Sequence, residues 1–164
     1  MLQVATFEKV SFEQYCKDMS VEPNEYFRNE WEAIRLPTRA TPGSAGYDFY
    51  FPQNPILINK DHGYIIPTGI RVRLDPGWAL ILLPRSSFGI KYGMRLSNTV
   101  GLIDSDYYGA ANEGHIMAKV SSKEAMALRT GDRFMQGVLL CVGLATNDTV
   151  VSETRVGGFG STGA

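Results

Sequence analysis

The chain has 164 residues, 44% of them hydrophobic and 20% charged, which fits one domain of the usual size, roughly 100–200 residues, with a core of its own. Sixteen Lys and Arg against seventeen Asp and Glu leave a net charge of −1, which excludes a protein working by blanket attraction to nucleic acid or to an anionic membrane. Two cysteines and two histidines are too few for a disulfide scaffold or a histidine-based zinc site.

Residues 1–35 carry seven acids, four bases and no glycine, and all seventeen glycines follow. A short strand opens the chain. Ser11-Phe12-Glu13-Gln14 then has capping-box form, and Phe12, Tyr15, Cys16 and Met19 recur at helical spacing. Pro23 and Asn24 break the pattern, and a second helical stripe follows in Phe27, Trp31 and Ile34. These aromatic residues read as packing faces. From Leu36 the texture is all-β: Ile56–Ile58, Tyr64–Ile66, Ile70–Leu74, Ala79–Leu83, Ile116–Val120 and Phe134–Val142 are short apolar or alternating runs between turn signals such as Pro42-Gly43 and Asp75-Pro76-Gly77. Many short strands at close intervals predict a sandwich or barrel. Ser121–Arg129 stays open between a short helix capped by Ser121 and a strand through Met126 and Leu128. Cys141, inside Val138-Leu139-Leu140-Cys141-Val142, is expected as a buried reduced thiol. No apolar stretch approaches the roughly 20 residues that cross a bilayer, and no basic-then-apolar leader is present, so the expected location is the cytoplasm.

Three segments carry chemistry-bearing residues. Gly157-Gly158-Phe159-Gly160-Ser161-Thr162-Gly163 offers many backbone N–H groups, but no Lys precedes its Ser and Thr, so it is not a Walker A loop. Phe159 gives this flexible stretch an aromatic face. In Pro84-Arg85-Ser86-Ser87-Phe88-Gly89 an arginine and two hydroxyls follow a strand, within residues 69–96, where five bases meet one acid. That suits a polyanion, although alone it reads first as a solvated basic loop. Asn98–Ile103 is an apolar strand that ends in Asp104, Asp106 and Tyr107, a place for a carboxylate acting as general base on water. Alone it reads first as an Asx-rich turn.

Jointly these segments say more. Ala45-Gly46-Tyr47-Asp48-Phe49, Pro84–Gly89, Asn98–Tyr107, Gly131-Asp132-Arg133-Phe134-Met135-Gln136 and Gly157–Gly163 resemble, in order and spacing, the five motifs of the trimeric dUTP diphosphatase (dUTPase) family. The resemblance covers about Leu36–Ala164. It implies an all-β, barrel or jelly-roll subunit, here with the short helical N-terminal extension read from residues 1–35, assembled as a homotrimer with sites shared between subunits. It also implies hydrolysis of dUTP to dUMP and pyrophosphate with Mg2+. By matching position, Asp104 resembles the carboxylate that deprotonates the attacking water, and Tyr107 the platform under the deoxyribose that leaves no room for a 2′-hydroxyl. Asn98, Gly101 and Ile103 match the hairpin that reads uracil. Arg85, Ser86 and Gln136 match phosphate-binding positions, Ser87 and Gly89 other substrate-binding positions, and Asp48 the aspartate that organises the magnesium-triphosphate region through water. Arg155, Phe159, Gly160, Ser161 and Thr162 match the segment that covers the base and the terminal phosphates.

On this reading residues 1–35 form the extension packed on the same domain, residues 36–154 the β domain and residues 155–164 a glycine-rich lid. The sequence departs from the family pattern in three places. Arg155 to Phe159 is one residue shorter than the family's last motif, residues 108–115 are longer than usual and enlarge a hairpin near the site or the trimer axis, and residues 1–35 insert helices. Two other functions stay open: a dCTP deaminase-like enzyme, alone or bifunctional, and a dUTPase-derived module that binds a regulatory protein partner. Neither a membrane nor stable nucleic-acid binding is expected.

Overall fold

The computed structural model describes residues 2–149. Strand β1 (Ala5–Lys9) leads into helices α1 (Phe12–Met19) and α2 (Glu25–Glu32). Ser11 caps α1, its Oγ accepting the Gln14 N–H at 3.1 Å, and Asn24 caps α2 by accepting the Phe27 N–H at 3.1 Å. The capping box closes only on this side, because the Gln14 side chain donates to Asp18 at 2.8 Å and does not return to Ser11. Phe12, Tyr15 and Cys16 are buried along the α1 stripe, and Trp31 and Ile34 pack on the core from the second helix and its exit. Tyr15 ties the helices together by donating its hydroxyl to Glu30 at 2.8 Å. Burial and the adjoining carboxylate push the Tyr15 pKa far up, so it stays protonated.

The β region follows as β2 (Thr38–Arg39), β3 (Gly46–Tyr50), β4 (Ile56–Ile58), β5 (Tyr64–Pro67), β6 (Ile70–Leu74), β7 (Trp78–Pro84), helix α3 (Ser86–Tyr92), β8 (Arg95–Leu96), β9 (Gly101–Ile103), a 3-10 turn over Ser105–Gly109, β10 (Met117–Ser121), β11 (Met126–Leu128) and β12 (Arg133–Cys141). The largest sheet has the order β2-β3-β12-β7-β9, beside the sheets β5-β10-β8, β1-β6 and β11-β4. All the pairings are antiparallel. The inward faces meet in one core that includes Phe49, Phe51, Ile66, Leu80, Ile116, Leu128 and Phe134. The chain is an all-β subunit with a helical N-terminal segment.

One open reading is settled and two change. Ser121–Arg129 resolves as a strand, since Met126 and Leu128 are buried and pair with Ile58 and Ile56. Ser86–Tyr92 is a helix and not an open loop. Cys141 is exposed, as are Leu140, Val142 and Leu144, because the end of β12 runs past the core of the single subunit.

Residues 110–116 turn back onto α1. Glu113 and Gly114 both have positive φ, 58° and 70°. A Cβ on Gly114 would lie 2.7 Å from the Tyr107 carbonyl oxygen and 2.8 Å from the Tyr108 Cα, so only glycine fits there. Gly69 also has a positive φ, 73°, which favours glycine there, although the nearest atom a Cβ would meet is the terminal Cδ1 of Ile34.

Candidate active site

One group of motif residues gathers on β3, β7 and β12. Asp48 on β3 is 2% exposed and pairs in register with Gln136 of β12. Two guanidiniums converge on its carboxylate. Arg85, which follows β7, donates through Nη1 to Oδ1, and Arg133 donates through Nη1 to Oδ2 at 3.3 Å. The Arg85 backbone is fixed by its N–H donating to the Phe134 carbonyl at 3.0 Å. Gln136 lies over Gly46, where a Cβ would meet its Oε1 at 2.8 Å. Ser86, Ser87 and Gly89 sit in the first turns of α3, with Ser86 and Ser87 exposed. Arg133 was not singled out from the sequence. Its place in Gly131–Gln136, three residues before Gln136, was the available signal.

The second group lies on the other side of β7. Asn98 is in the turn before β9, and Gly101 and Ile103 pair with Leu82 and Leu80 of β7. Asp104 opens the 3-10 turn and is half-buried, and its carbonyl accepts the Tyr107 N–H at 3.2 Å. Tyr107 is 4% exposed and donates its hydroxyl to the His115 carbonyl at 2.9 Å. Asn112 Nδ2 donates to the same Tyr107 oxygen at 2.9 Å.

The structure therefore brings Asp48, Arg85 and Gln136 together and sets Asp104 apart from them. Ile103 pairs with Leu80 while Arg85 follows the far end of β7, a separation along the strand on the order of 15 Å at the usual rise per residue. A cavity of about 990 Å³ lies between β1, the β2–β3 connection and the ends of β7 and β12; Ala45 and Tyr47 of the first motif line it, but none of the described candidate site residues does. Arg155, Phe159, Gly160, Ser161 and Thr162 lie outside the described residues.

Among the described residues no group of three or more His, Cys, Asp or Glu could hold a metal ion, and no helix is long and apolar enough to cross a membrane. Both oxygens of Asp48 are already engaged by arginines. A magnesium ion here would therefore keep its waters and phosphate ligands and meet Asp48 only through water, in place of a protein-only cage.

The described residues thus form an antiparallel β subunit that carries an Asp-Arg-Gln cluster and a separate Asp-Tyr hairpin. The dUTPase family model matches residues 32–163. A deoxyuridine 5'-triphosphate nucleotidohydrolase of Dinoroseobacter shibae is 39% identical over 153 residues, covering 85% of this chain and 96% of that protein. The dUTPase of Streptococcus mutans superposes with a TM-score of 0.64 at 32% identity, covering 85% of this chain and 97% of that one. A dUTPase from phage phi11 of S. aureus, solved with a structural Mg(II) ion, shares the fold with a TM-score of 0.64 at 15% identity, covering 91% and 97%. The chain belongs to the dUTPase family.

Proposed function

We propose that the protein hydrolyses dUTP to dUMP and pyrophosphate, with Asp104 as the general base. Family membership over residues 32–163, with the motif carboxylate of Asp104 at the mouth of a structured turn, carries this reading. Asp104 takes a proton from water, the water oxygen bonds to the α-phosphorus, and the bond to the bridging oxygen breaks as pyrophosphate leaves. Arg85, Ser86 and Gln136 bind phosphate oxygens, Ser87 and Gly89 other parts of the substrate, and the fixed Arg85 backbone keeps that charge in place. Asn98, Gly101 and Ile103 present backbone groups to uracil, and Tyr107 walls off the sugar edge where a 2′-hydroxyl would sit. Magnesium, held mainly by the triphosphate and met by Asp48 through water, supplies charge neutralisation when bound. Arg155, Phe159, Gly160, Ser161 and Thr162 close over the base and terminal phosphates.

The protein works as a homotrimer. The separation of Asp104 from Arg85 along β7 supports sites completed by a neighbouring copy, and the exposed Leu102, Leu140, Val142 and Leu144 supply apolar surface for such contacts. We place the enzyme in the cytoplasm, with neither a membrane nor a stable nucleic-acid partner.

The roles are tested with Asp104→Asn and with heavy-oxygen water. The variant should lose about 10²–10⁴ in turnover while nucleotide binding survives, and wild-type reaction should put the label in dUMP. Near wild-type turnover by the variant, or label in pyrophosphate, would refute the assigned chemistry.

A further inference from the structure

The helical extension and the lengthened 108–115 segment, two of the three departures from the family pattern, meet at a buried histidine. His115 is 0% exposed. The Gly69 N–H donates to its Nε2 at 2.7 Å, so the ring proton sits on Nδ1 and is donated to Asp18 Oδ2 on α1 at 2.5 Å. The backbone carbonyl of the same histidine accepts the Tyr107 hydroxyl at 2.9 Å and Asn112 Nδ2 at 3.3 Å. Gly114 lies against the Tyr107 and Tyr108 backbone. A continuous chain of contacts thus runs from α1 through His115 to Tyr107, three residues from Asp104.

We infer that Asp18 and His115 are positioning residues that set Tyr107 against the sugar, so that the helical extension takes part in discriminating deoxyribose from ribose. The inference rests on the proposed dUTP hydrolysis and on Tyr107 as the sugar wall. The Tyr107 hydroxyl is consumed by the His115 carbonyl, which fixes the ring through its far end and leaves the ring itself to exclude bulk. The His115 carbonyl is in turn fixed because its imidazole is held at both nitrogens. An orienting carboxylate on a histidine acts in the same way when the histidine is a metal ligand or a catalytic base. Here the oriented group is a main-chain acceptor, and a small displacement of what it holds is costly at a reacting centre.

The test compares kcat/KM for dUTP and for UTP in wild type, Asp18→Ala, Asp18→Asn and Asn24→Ala, with melting temperatures for all four. Asn24→Ala removes the α2 cap and so weakens the same extension without touching the Asp18–His115 pair. The dUTP-over-UTP ratio should fall by about tenfold in Asp18→Ala, chiefly through faster UTP turnover. Asp18→Asn, which keeps an acceptor for Nδ1–H, should hold a ratio near that of wild type. Asn24→Ala should melt lower with the ratio unchanged. An unchanged ratio in folded Asp18→Ala, an equal loss in Asn24→Ala, or failure of Asp18→Ala to fold would make these residues structural and overturn the inference. A wild-type protein that does not cleave dUTP would instead refute the functional reading beneath it.

Discussion

Glu113 completes the cap of α1 from 102 residues away: its Oε2 accepts the Ser11 N–H at 2.8 Å and its Oε1 accepts the Ser11 hydroxyl at 2.6 Å. In a local capping box the third helical residue would make the first of these bonds. Here Glu113 makes it, from a left-handed backbone with φ 58° that costs a non-glycine residue about 1–2 kcal/mol. Glu113→Ala should therefore destabilise by about 1–2 kcal/mol, a charge-assisted bond discounted for its partial exposure. Glu113→Gly should recover about 1 kcal/mol of that by relieving the backbone. Thermal melts check the order: wild type highest, glycine next, alanine lowest. An alanine variant as stable as wild type would show the cap to be idle.

Asp18 makes stability depend on acid pH. Burial pushes its carboxyl up, but the hydrogen bonds from His115 and Gln14 outweigh this and hold the pKa below the ordinary value of 3.8. A carboxyl lowered in the folded state contributes stability fully above its unfolded pKa and loses it as pH falls through the folded value. Urea unfolding of wild type should therefore weaken below about pH 4 more steeply than that of Asp18→Asn. Parallel curves for the two would contradict this coupling.

Arg85 and Asp48 should be strongly non-additive. Asp48 is buried between two guanidiniums, and removing Arg85 leaves it with the more exposed Arg133 alone. Arg85→Ala should cost about 2–3 kcal/mol, and the Asp48→Asn, Arg85→Ala double variant should be more stable than Arg85→Ala alone, since it removes a buried charge left with only one partly exposed partner. Denaturant titration of the four proteins in the cycle measures this. Simple additivity would place the pair among surface ion bridges.

Local pattern carried much of the fold. Ile56–Ile58 and Ile70–Leu74 are strands over the same residues as their apolar runs, and the Phe12, Tyr15, Cys16 stripe is the buried face of α1. Periodicity names a face but not its partner. The pairing of β1 with β6, the Glu113 cap and the Asp18–His115 contact across 97 residues depend on three-dimensional register, which no local window contains. Ser121–Arg129 was settled by β4, whose Ile56 and Ile58 offered a pairing edge. Cys141 was misplaced because an apolar run reads as core whether it faces the subunit interior or a surface at the end of a strand. At the site the motifs pick out Asp48, Arg85 and Gln136, and the pairing of β3, β12 and β7 brings these three together. That Asp104 stands apart from them follows only from the antiparallel run of β9 along β7.

The most direct test is incubation of the full chain with dUTP, dCTP, dTTP and UTP in turn, with magnesium, and identification of the nucleotide and phosphate products. Rapid conversion of dUTP to dUMP and pyrophosphate is expected, with dTTP and UTP cleaved far more slowly and dCTP left without deamination. Deamination of dCTP, or comparable kcat/KM for dUTP and UTP, would contradict a dUTP diphosphatase whose pocket is closed by the Asn98–Tyr107 hairpin.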